Sequence, residues 1–169
     1  MLRLILLRHA QAAAYAGGGD AERALSIHGR GEAQTVGVWL TQADISPDLA
    51  VISTARRTRE TWAIVAEAAG FDAPVLEEQR LYLAEPPALL ELMHMTPTQI
   101  QTLFCVGHNP GFHDYALEMI GDDGETLMRL ERGLPTAGLI MIDFDAAQWC
   151  DVQPGSGRLV AFVTPQDAV

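Results

Sequence analysis

Three short apolar runs, each about as long as a β-strand, constrain the fold of this chain more than any other feature. They are LRLILL at 2–7, LAVIS at 49–53 and TLFCVG at 102–107. Continuous apolar runs of this length are typical of strands that are buried on both faces of a parallel sheet. The segments between them are long enough to hold the helical crossovers that parallel strands require. The sequence therefore predicts an α/β protein whose early strands point in the same direction.

The remaining segments continue this alternation of strands and helices. A helix is expected from Ser26, a favourable N-cap, through Gln42. Further helices are predicted over 54–70, 86–95 and 112–121, and further strands at the start of 74–85, over 138–144 and over 158–163. The small, glycine-rich residues 10–24 indicate a mobile loop, and whether its part at 15–22 is ordered without ligand stays open. We predict one domain over 1–169, a three-layer α/β/α sandwich with a mostly parallel central sheet.

The charge of the chain narrows the partners that it can bind. Its formal net charge is -11, and all 11 basic residues are arginine, because the chain contains no lysine. The summed negative field opposes binding to nucleic acid. The absence of lysine excludes a P-loop lysine, a Schiff base and any other lysine chemistry. An anionic substrate would therefore need arginine, histidine and backbone N–H groups, and the planar guanidinium suits phosphate well.

The sequence also predicts where the protein resides. No apolar run approaches the ~20 residues of a membrane helix, and the run at 2–7 is too short for a secretion signal. Cys105 and Cys150 lie far apart in no metal-binding spacing, so they are expected to be reduced thiols. We expect a cytoplasmic protein that needs no metal and no cofactor and does not bind a membrane.

Arginine and histidine residues follow all three apolar runs. Arg8 and His9 follow the first run, Arg57 follows the second, and His108 follows the third. Because the carboxyl ends of parallel strands meet at one edge of a sheet, these four side chains are expected to lie close together there. Two guanidinium and two imidazole groups at one edge suit a tetrahedral dianion.

Each of these residues also has an ordinary structural interpretation. An Arg-His pair after a strand is often part of a solvated loop, and a single His108 can be a structural histidine. The run ARRTRE can be an exposed helix face, and for Arg56 and Arg59 we prefer that interpretation. The combination of groups at three strand ends favours a functional site.

Three motifs resemble those of the histidine phosphatase superfamily, also called the phosphoglycerate-mutase-like family. LLRHA at 6–10 resembles the R-H-G signature, STARRTRET at 53–61 resembles S-P-x-x-R-A-x-Q-T, and VGHNP at 106–110 resembles V-x-H. The positions that depart from the family pattern are Ala10, Thr54, Thr58 and Glu60. The resemblance spans nearly the whole chain and implies the phosphoglycerate-mutase-like fold.

The chain is similar in particular to the short bacterial phosphohistidine phosphatases of the SixA type. This similarity rests on RAL at 23–25, LYLAEPPALLELM at 81–93 and LPTAGLIMIDFD at 134–145, followed by Trp149. The chain also has no room for the helical insertions of larger branches. The resemblance implies a phosphatase that acts on a phosphorylated protein, such as the histidine phosphotransfer domain of a signalling relay or a sugar-transport carrier.

The resemblance implies a two-step transfer in which His9 attacks phosphorus and water then hydrolyses the phosphohistidine. A nucleophilic imidazole must be neutral, and its other ring nitrogen must donate a hydrogen bond, which we expect a backbone carbonyl to accept. Arg8, Arg57 and a protonated His108 would supply positive charge to the phosphoryl oxygens.

Four further residues are candidates for the site. Arg23 and the backbone N–H of Asn109 are expected to bind substrate, and Glu78 and Glu85 lie where related enzymes place a general acid. For both glutamates an ordinary surface carboxylate is the preferred interpretation. A missing acid would favour phosphohistidine as substrate, because imidazole is a better leaving group than an alkoxide.

Two other functions stay open. One is a phosphatase for a small phosphorylated metabolite, which differs from the first hypothesis in its leaving group. The other is a non-catalytic phosphate-binding module, which the departures at Ala10, Thr54 and Glu60 keep under consideration.

Overall fold

The computed structural model of the protein describes residues 1–14, 17–121 and 124–168. Its strands in this part of the chain are β1 (Leu2–Arg8), β2 (Leu49–Ser53), β3 (Val75–Glu78), β4 (Thr102–Gly107), β5 (Leu139–Phe144) and β6 (Gly157–Val163). Its helices there are α1 (Ile27–Gln42), α2 (Arg56–Ala69), α3 (Pro86–His94), α4 (Gly111–Met119) and α5 (Glu125–Glu131). Within the same residues, no helix combines the length and the apolarity needed to cross a bilayer.

The six strands form one sheet in the order β3-β2-β4-β1-β5-β6. β1 is parallel to β4, and β2 is parallel to both β3 and β4, so the prediction of a mostly parallel sheet is confirmed. β5 runs antiparallel to β1 and to β6. The C-terminal ends of β1, β2 and β4 therefore share one edge, and the antiparallel β5 begins at that same edge, where Leu139 lies opposite Leu7.

The alternation of side chains along β1 divides the core into two layers. Leu4 and Leu6 belong to a cluster with residues of α3 and α4, whereas Ile5 and Leu7 belong to a cluster with residues of α1 and α2. All four are buried, with at most 1% of their surface exposed. A strand that is apolar on both faces must be covered on both sides. The three-layer α/β/α sandwich is thus confirmed.

Local signals placed several helix ends correctly. The hydroxyl of Ser26 accepts a hydrogen bond from the N–H of Gly29 at 3.0 Å and caps α1. Gly70 ends α2 in the left-handed region at φ 70°, which glycine adopts without steric cost. Pro86 opens α3, where its missing N–H costs no helical hydrogen bond.

The structure differs from the predicted elements in three places. α5 was not predicted, and α4 ends at Met119 rather than at Gly121. The helix ends because Ile120 has an extended backbone at ψ 126° and forms a β-bridge to Gly157. Gly121 then passes close to Gly155, whose carbonyl oxygen would stand 1.8 Å from a Cβ. The predicted loop contains a 3-10 turn at Asp20–Glu22, and positions 15 and 16 of that loop lie outside the described residues.

Candidate active site

Three neighbouring parallel strands deliver their following residues to one pocket. β1 ends at Arg8 and is followed by His9, and β4 is followed by His108, while the first turn of α2 after β2 carries Arg57. The Nε of Arg57 lies 3.2 Å from the Nε2 of His9, and its Nη2 lies 3.3 Å from the Nδ1 of His108. The two imidazole rings have their centroids 5.2 Å apart. The structure therefore brings together residues from three distant parts of the chain.

The His9 ring has a fixed tautomer. Its Nδ1 lies 2.8 Å from the carbonyl oxygen of Ala10, and because a carbonyl oxygen only accepts hydrogen bonds, Nδ1 carries the proton. Its Nε2 then accepts from the Nε–H of Arg57 and keeps its lone pair. Burial lowers the pKa of His9 to about 4, and the charges of Arg57 and Arg8 act in the same direction. The imidazole is therefore neutral at pH 7.

The hydrogen bonds of His108 are those of a neutral ring, whereas the protonated ring expected from the sequence is one that contacts a phosphoryl group. A guanidinium only donates, so the Nδ1 of His108 accepts from Arg57, and its Nε2–H donates to the Oγ of Ser53 at 2.8 Å. Burial lowers the pKa of His108 to about 3, and the neighbouring His9 and Arg57 lower it further. The sequence alone did not mark Ser53 as a partner of this ring.

Arg57 is 3% exposed and lies at the centre of the pocket. Besides its bonds to the two histidines, its Nη1 donates to the main-chain oxygen of Asp20 at 2.7 Å and its Nη2 donates to the Oδ2 of Asp20 at 2.9 Å. The hydroxyl of Tyr82 donates to the same Oδ2 at 2.7 Å. This bond from Tyr82, followed by those from Arg23 and Arg57, lowers the pKa of Asp20 to about 2 although burial opposes the shift.

Arg8 is anchored by the segment that precedes β5. Its Nη1 donates to the carbonyl oxygen of Leu134 at 2.8 Å, and the Nδ2 of Asn109 donates to the same oxygen at 2.8 Å. Within the described part of the chain, the Nε of Arg8 and the Oδ1 of Asn109 are buried polar atoms without a hydrogen-bond partner. The Nε–H of Arg8 is thus a buried donor whose hydrogen-bonding capacity is unused among these residues.

Arg23 lies at the border of this pocket. Its Nε donates to the carbonyl oxygen of Ala13 at 3.1 Å, and its Nη1 donates to the Oδ1 of Asp20 at 3.2 Å. Its charge is near enough to lower the pKa of His9. The expectation that Arg23 reaches substrate is compatible with this position, although the structure pairs it with Asp20.

The two general-acid candidates differ in their surroundings. Glu78 accepts from the side chain and the backbone N–H of Arg80 at 2.9 Å, and these bonds lower the pKa of Glu78. The pairing disfavours the protonated form that a general acid needs. Glu85 precedes α3 and lines a separate cavity of about 360 Å³ with Pro110 and Asp114. Arg56 and Arg59, as expected, are exposed on α2.

Residues 1–14, 17–121 and 124–168 include no group of three or more histidine, cysteine, aspartate or glutamate side chains that could hold a metal ion. The pocket instead contains a neutral imidazole of fixed tautomer among guanidinium groups, at the C-terminal edge of parallel strands. Oxyanions bind at such an edge in open α/β sheets, and an imidazole lone pair is a nucleophile toward phosphorus. Fold and pocket together define an α/β phosphatase built from arginine and histidine.

Comparisons with known proteins agree with this class. The model of the histidine phosphatase superfamily (branch 1) matches residues 4–82. An uncharacterised protein of Mycobacterium tuberculosis is 34% identical over 163 residues, which cover 95% of this chain and 100% of that protein. The chain therefore belongs to the histidine phosphatase superfamily.

Two solved structures share almost the whole fold. A protein of Agrobacterium tumefaciens, provisionally named phosphohistidine phosphatase SixA, is 32% identical with a TM-score of 0.82, and the match covers 97% of this chain and 98% of that one. A protein of Nakamurella multipartita with the same provisional name is 26% identical with a TM-score of 0.85, and the match covers 97% and 96% of the two chains.

Proposed function

We propose that this chain removes phosphate from phosphohistidine in a protein, with His9 as the nucleophile. One observation carries the proposal: the Nδ1–H of His9 is held by the carbonyl of Ala10, so Nε2 carries the lone pair, which accepts from Arg57 and must leave that donor to attack phosphorus. The lowered pKa of His9 keeps that lone pair available at neutral pH. The names of the two SixA-type neighbours support phosphohistidine as the substrate.

The reaction has two steps. First, the lone pair of His9 Nε2 forms a bond to phosphorus while the P–N bond of the substrate breaks and its electron pair returns to the leaving imidazole. That imidazole leaves as a neutral ring if its distal nitrogen is already protonated. Second, the oxygen of water attacks phosphorus, the electron pair of the P–Nε2 bond returns to His9, and the proton of water is released to solvent.

The surrounding groups stabilise charge on the transferred phosphoryl oxygens. The Nε–H of Arg8 is buried with its hydrogen-bonding capacity unused among the described residues, and Arg57 lies between both imidazoles. A dianion beside His108 raises the pKa of its imidazole, so the protonated His108 expected from the sequence belongs to the liganded enzyme. The side chain of Asn109 shares the Leu134 carbonyl with Arg8, and its backbone N–H is the proposed donor to the phosphoryl group.

The surroundings of two carboxylates favour a phosphohistidine substrate over a phosphomonoester. An alkoxide leaving group needs a proton, and a general acid typically contributes a factor of roughly 100 to 10,000. Asp20, the carboxylate that contacts Arg57, has a lowered pKa, and Glu78 is bound to Arg80. A leaving imidazole whose distal nitrogen is already protonated needs no such donor.

The proposal also includes the substrate protein, the compartment and the part of the chain that acts. The substrate is a phosphorylated protein, such as a histidine phosphotransfer domain or a phosphate carrier, and the reaction takes place in the cytoplasm. Residues 1–169 act as one domain, without metal or cofactor. The net charge of -11 weighs against nucleic acid as a partner.

A substrate panel tests the leaving-group argument. Phosphoimidazole and a phosphohistidine peptide are compared with a sugar phosphate at equal enzyme concentration. We expect kcat/KM for the two phosphoramidates to exceed that for the sugar phosphate by roughly 100-fold, the lower end of what a general acid supplies. Equal or faster hydrolysis of the sugar phosphate would assign the chain to small phosphomonoesters.

A pair of histidine variants tests the nucleophile. His9→Ala should abolish turnover, and wild-type enzyme quenched in alkali, where phosphohistidine is stable, should carry phosphate on His9. His28→Ala is the matched control, because His28 is 71% exposed on the first turn of α1, and its turnover should equal that of the wild type. Residual turnover in His9→Ala, or label on another residue, contradicts the covalent mechanism. Absence of turnover in every protein would favour a phosphate-binding module.

A further inference from the structure

In this structure the guanidinium of Arg57, which the proposed mechanism needs for the phosphoryl group, is occupied by a carboxylate of the chain itself. Asp20 takes two of its donors, one through the main-chain oxygen and one through Oδ2. The side chain of Asp20 is 48% exposed, whereas that of Arg57 is 4% exposed. The contact therefore joins a residue at the surface to a residue inside the pocket.

Nearly all N–H groups of Arg57 already donate hydrogen bonds within the protein. A guanidinium has five N–H bonds, and it binds phosphate best through two of them in parallel. One N–H of Arg57 points to His9, one to His108 and two to Asp20. A phosphoryl group that takes two parallel N–H bonds of Arg57 must therefore displace at least one of these partners.

Asp20 is the partner that can leave most easily. His9 and His108 are fixed from behind by Ala10 and Ser53, respectively. Asp20 belongs to the exposed 3-10 turn Asp20–Glu22, which contains no buried residue. The bond to His9 breaks in any case when the Nε2 lone pair attacks phosphorus. Of the other two partners, a carboxylate that leaves Arg57 regains water, whereas the His108 ring would lose its second hydrogen bond inside the protein.

The carboxylate of Asp20 accepts hydrogen bonds from several side chains at once. Three side chains donate to its two oxygens: Arg57 at 2.9 Å, Tyr82 at 2.7 Å and Arg23 at 3.2 Å. These donors come from α2, from the segment after β3 and from the residue that follows the 3-10 turn. Tyr82 and Arg23 thus hold the carboxylate of Asp20 against Arg57.

We propose that Asp20 is an internal competitor for the phosphate site, a carboxylate that occupies Arg57 in the unliganded enzyme and that the phosphoryl group of the substrate displaces. This inference rests on the proposed function, since it assigns Arg57 to the phosphoryl group. Asp20 lowers the affinity for free phosphate and so limits product inhibition. It determines specificity because a dianionic phosphoryl group, with more charge than one carboxylate, displaces it more readily than a monoanionic group does.

Equilibrium binding of inorganic phosphate, measured by titration calorimetry at pH 7, tests this competition without any turnover. Asp20→Asn keeps the shape of the side chain and removes its charge. Because Asp20 is about half exposed, we take the lower end of the range for a charge-assisted hydrogen bond, and expect the Kd for phosphate to fall roughly tenfold.

Glu22→Gln is the matched control. Glu22 lies on the same 3-10 turn and is exposed, so its substitution makes the same change in net charge at nearly the same place. Its Kd for phosphate should stay within about twofold of the wild-type value, because exposed charges are screened by salt. A tenfold difference between the two variants then isolates the direct contact with Arg57.

Tyr82→Phe provides a second variant in case Asp20→Asn does not fold. It removes the hydroxyl that donates to Asp20 but leaves the carboxylate, so the Kd for phosphate should fall by roughly two- to threefold, the effect of one weak hydrogen bond. If Asp20→Asn folds, its affinity for phosphate decides the question. If it does not fold, a Tyr82→Phe protein that binds phosphate no more tightly than the wild type overturns the inference.

The outcomes separate this inference from the proposed function. If Asp20→Asn binds phosphate no tighter than Glu22→Gln while the wild type binds phosphate and hydrolyses phosphohistidine, only the competition is overturned. Weaker binding in Asp20→Asn would show that Asp20 positions Arg57 for the anion, which also overturns it. If no variant and no wild-type protein binds phosphate, both proposals fail.

Discussion

Replacement of His108 by glutamine tests the protonation state of the pocket through the stability of the protein. The His108 ring is 3% exposed, and burial lowers its pKa to about 3. Glutamine can accept from Arg57 and donate to Ser53 as the neutral imidazole does, but it does not titrate. The variant therefore removes the titration of residue 108 and keeps its two hydrogen bonds, so any effect of pH that it abolishes belongs to the proton.

The sign and size of the effect follow from linkage. As pH falls below about 6.5, the His108 ring gains a proton in the unfolded chain but not in the folded protein, so the wild type loses stability with falling pH. The loss continues until the pH reaches the folded pKa, about 3. At pH 5, which is about 1.5 units below the unfolded pKa, it amounts to about 2 kcal/mol. This figure holds for any folded pKa below about 4.

Urea unfolding at pH 7, 6 and 5 measures this effect. The free energy of unfolding of the wild type minus that of His108→Gln should decline by about 2 kcal/mol between pH 7 and pH 5. Gly31→Ala, which changes no titratable group and whose Cβ meets nothing within 4 Å, is the control, and its difference from the wild type should not change over the same range. A difference for His108→Gln that is constant with pH would show that the ring is not kept neutral by the fold.

Two further predictions concern the structure around the pocket. Ser53→Ala removes the acceptor of the His108 Nε2–H, and urea unfolding should show a loss of about 1–3 kcal/mol; an unchanged stability would mean that water replaces the hydroxyl. Gly111→Ala places a Cβ 1.8 Å from the carbonyl oxygen of Ala84, so the melting temperature should fall sharply, by an equivalent of about 3 kcal/mol. Gly31→Ala is its control, because a Cβ meets nothing within 4 Å, and it should stabilise α1 by about 0.5–1 kcal/mol. Equal effects of the two glycine substitutions would refute the close approach at Gly111.

The elements that could be predicted from the sequence are those whose ends are set by local chemistry. Ser26, Gly70 and Pro86 mark helix ends because a side-chain acceptor, a left-handed backbone and a missing N–H each act within a few residues. The apolar runs of β1 and β4 stand out because both faces of these strands are covered. Neither feature needs knowledge of the rest of the chain.

α5 has no such signal. It contains only seven residues, of which Leu130 alone is buried, so no apolar stripe is visible in the sequence. Gly124 precedes it, and Gly133 follows it at φ 129°. Short helices between glycines depend on tertiary contacts rather than on propensity, which is why the segment was not predicted.

The sequence predicted those site residues that directly follow parallel strands, because the topology of the sheet alone brings them together. His9 and His108 follow strands that pair directly, so their proximity follows from the strand register. Asp20 and Tyr82 come from a glycine-rich loop and an irregular segment, where no periodicity indicates which side chain points inward. The charge of His108 depends on burial and on neighbouring charges, which appear only when the chain is folded, so its protonated form stays a prediction for the enzyme with bound phosphate.

The position of β1 in the sheet has a consequence for biosynthesis. β1 precedes its neighbours β4 and β5, which begin only at Thr102 and Leu139. The nascent strand that His9 follows therefore has no partners until β4 and β5 are synthesised, and its exposed apolar side chains are a target for chaperones during that time. Nascent chains arrested before Leu139 should bind chaperones through β1 and should lack the pocket, since the β5 edge that completes it has not yet been made.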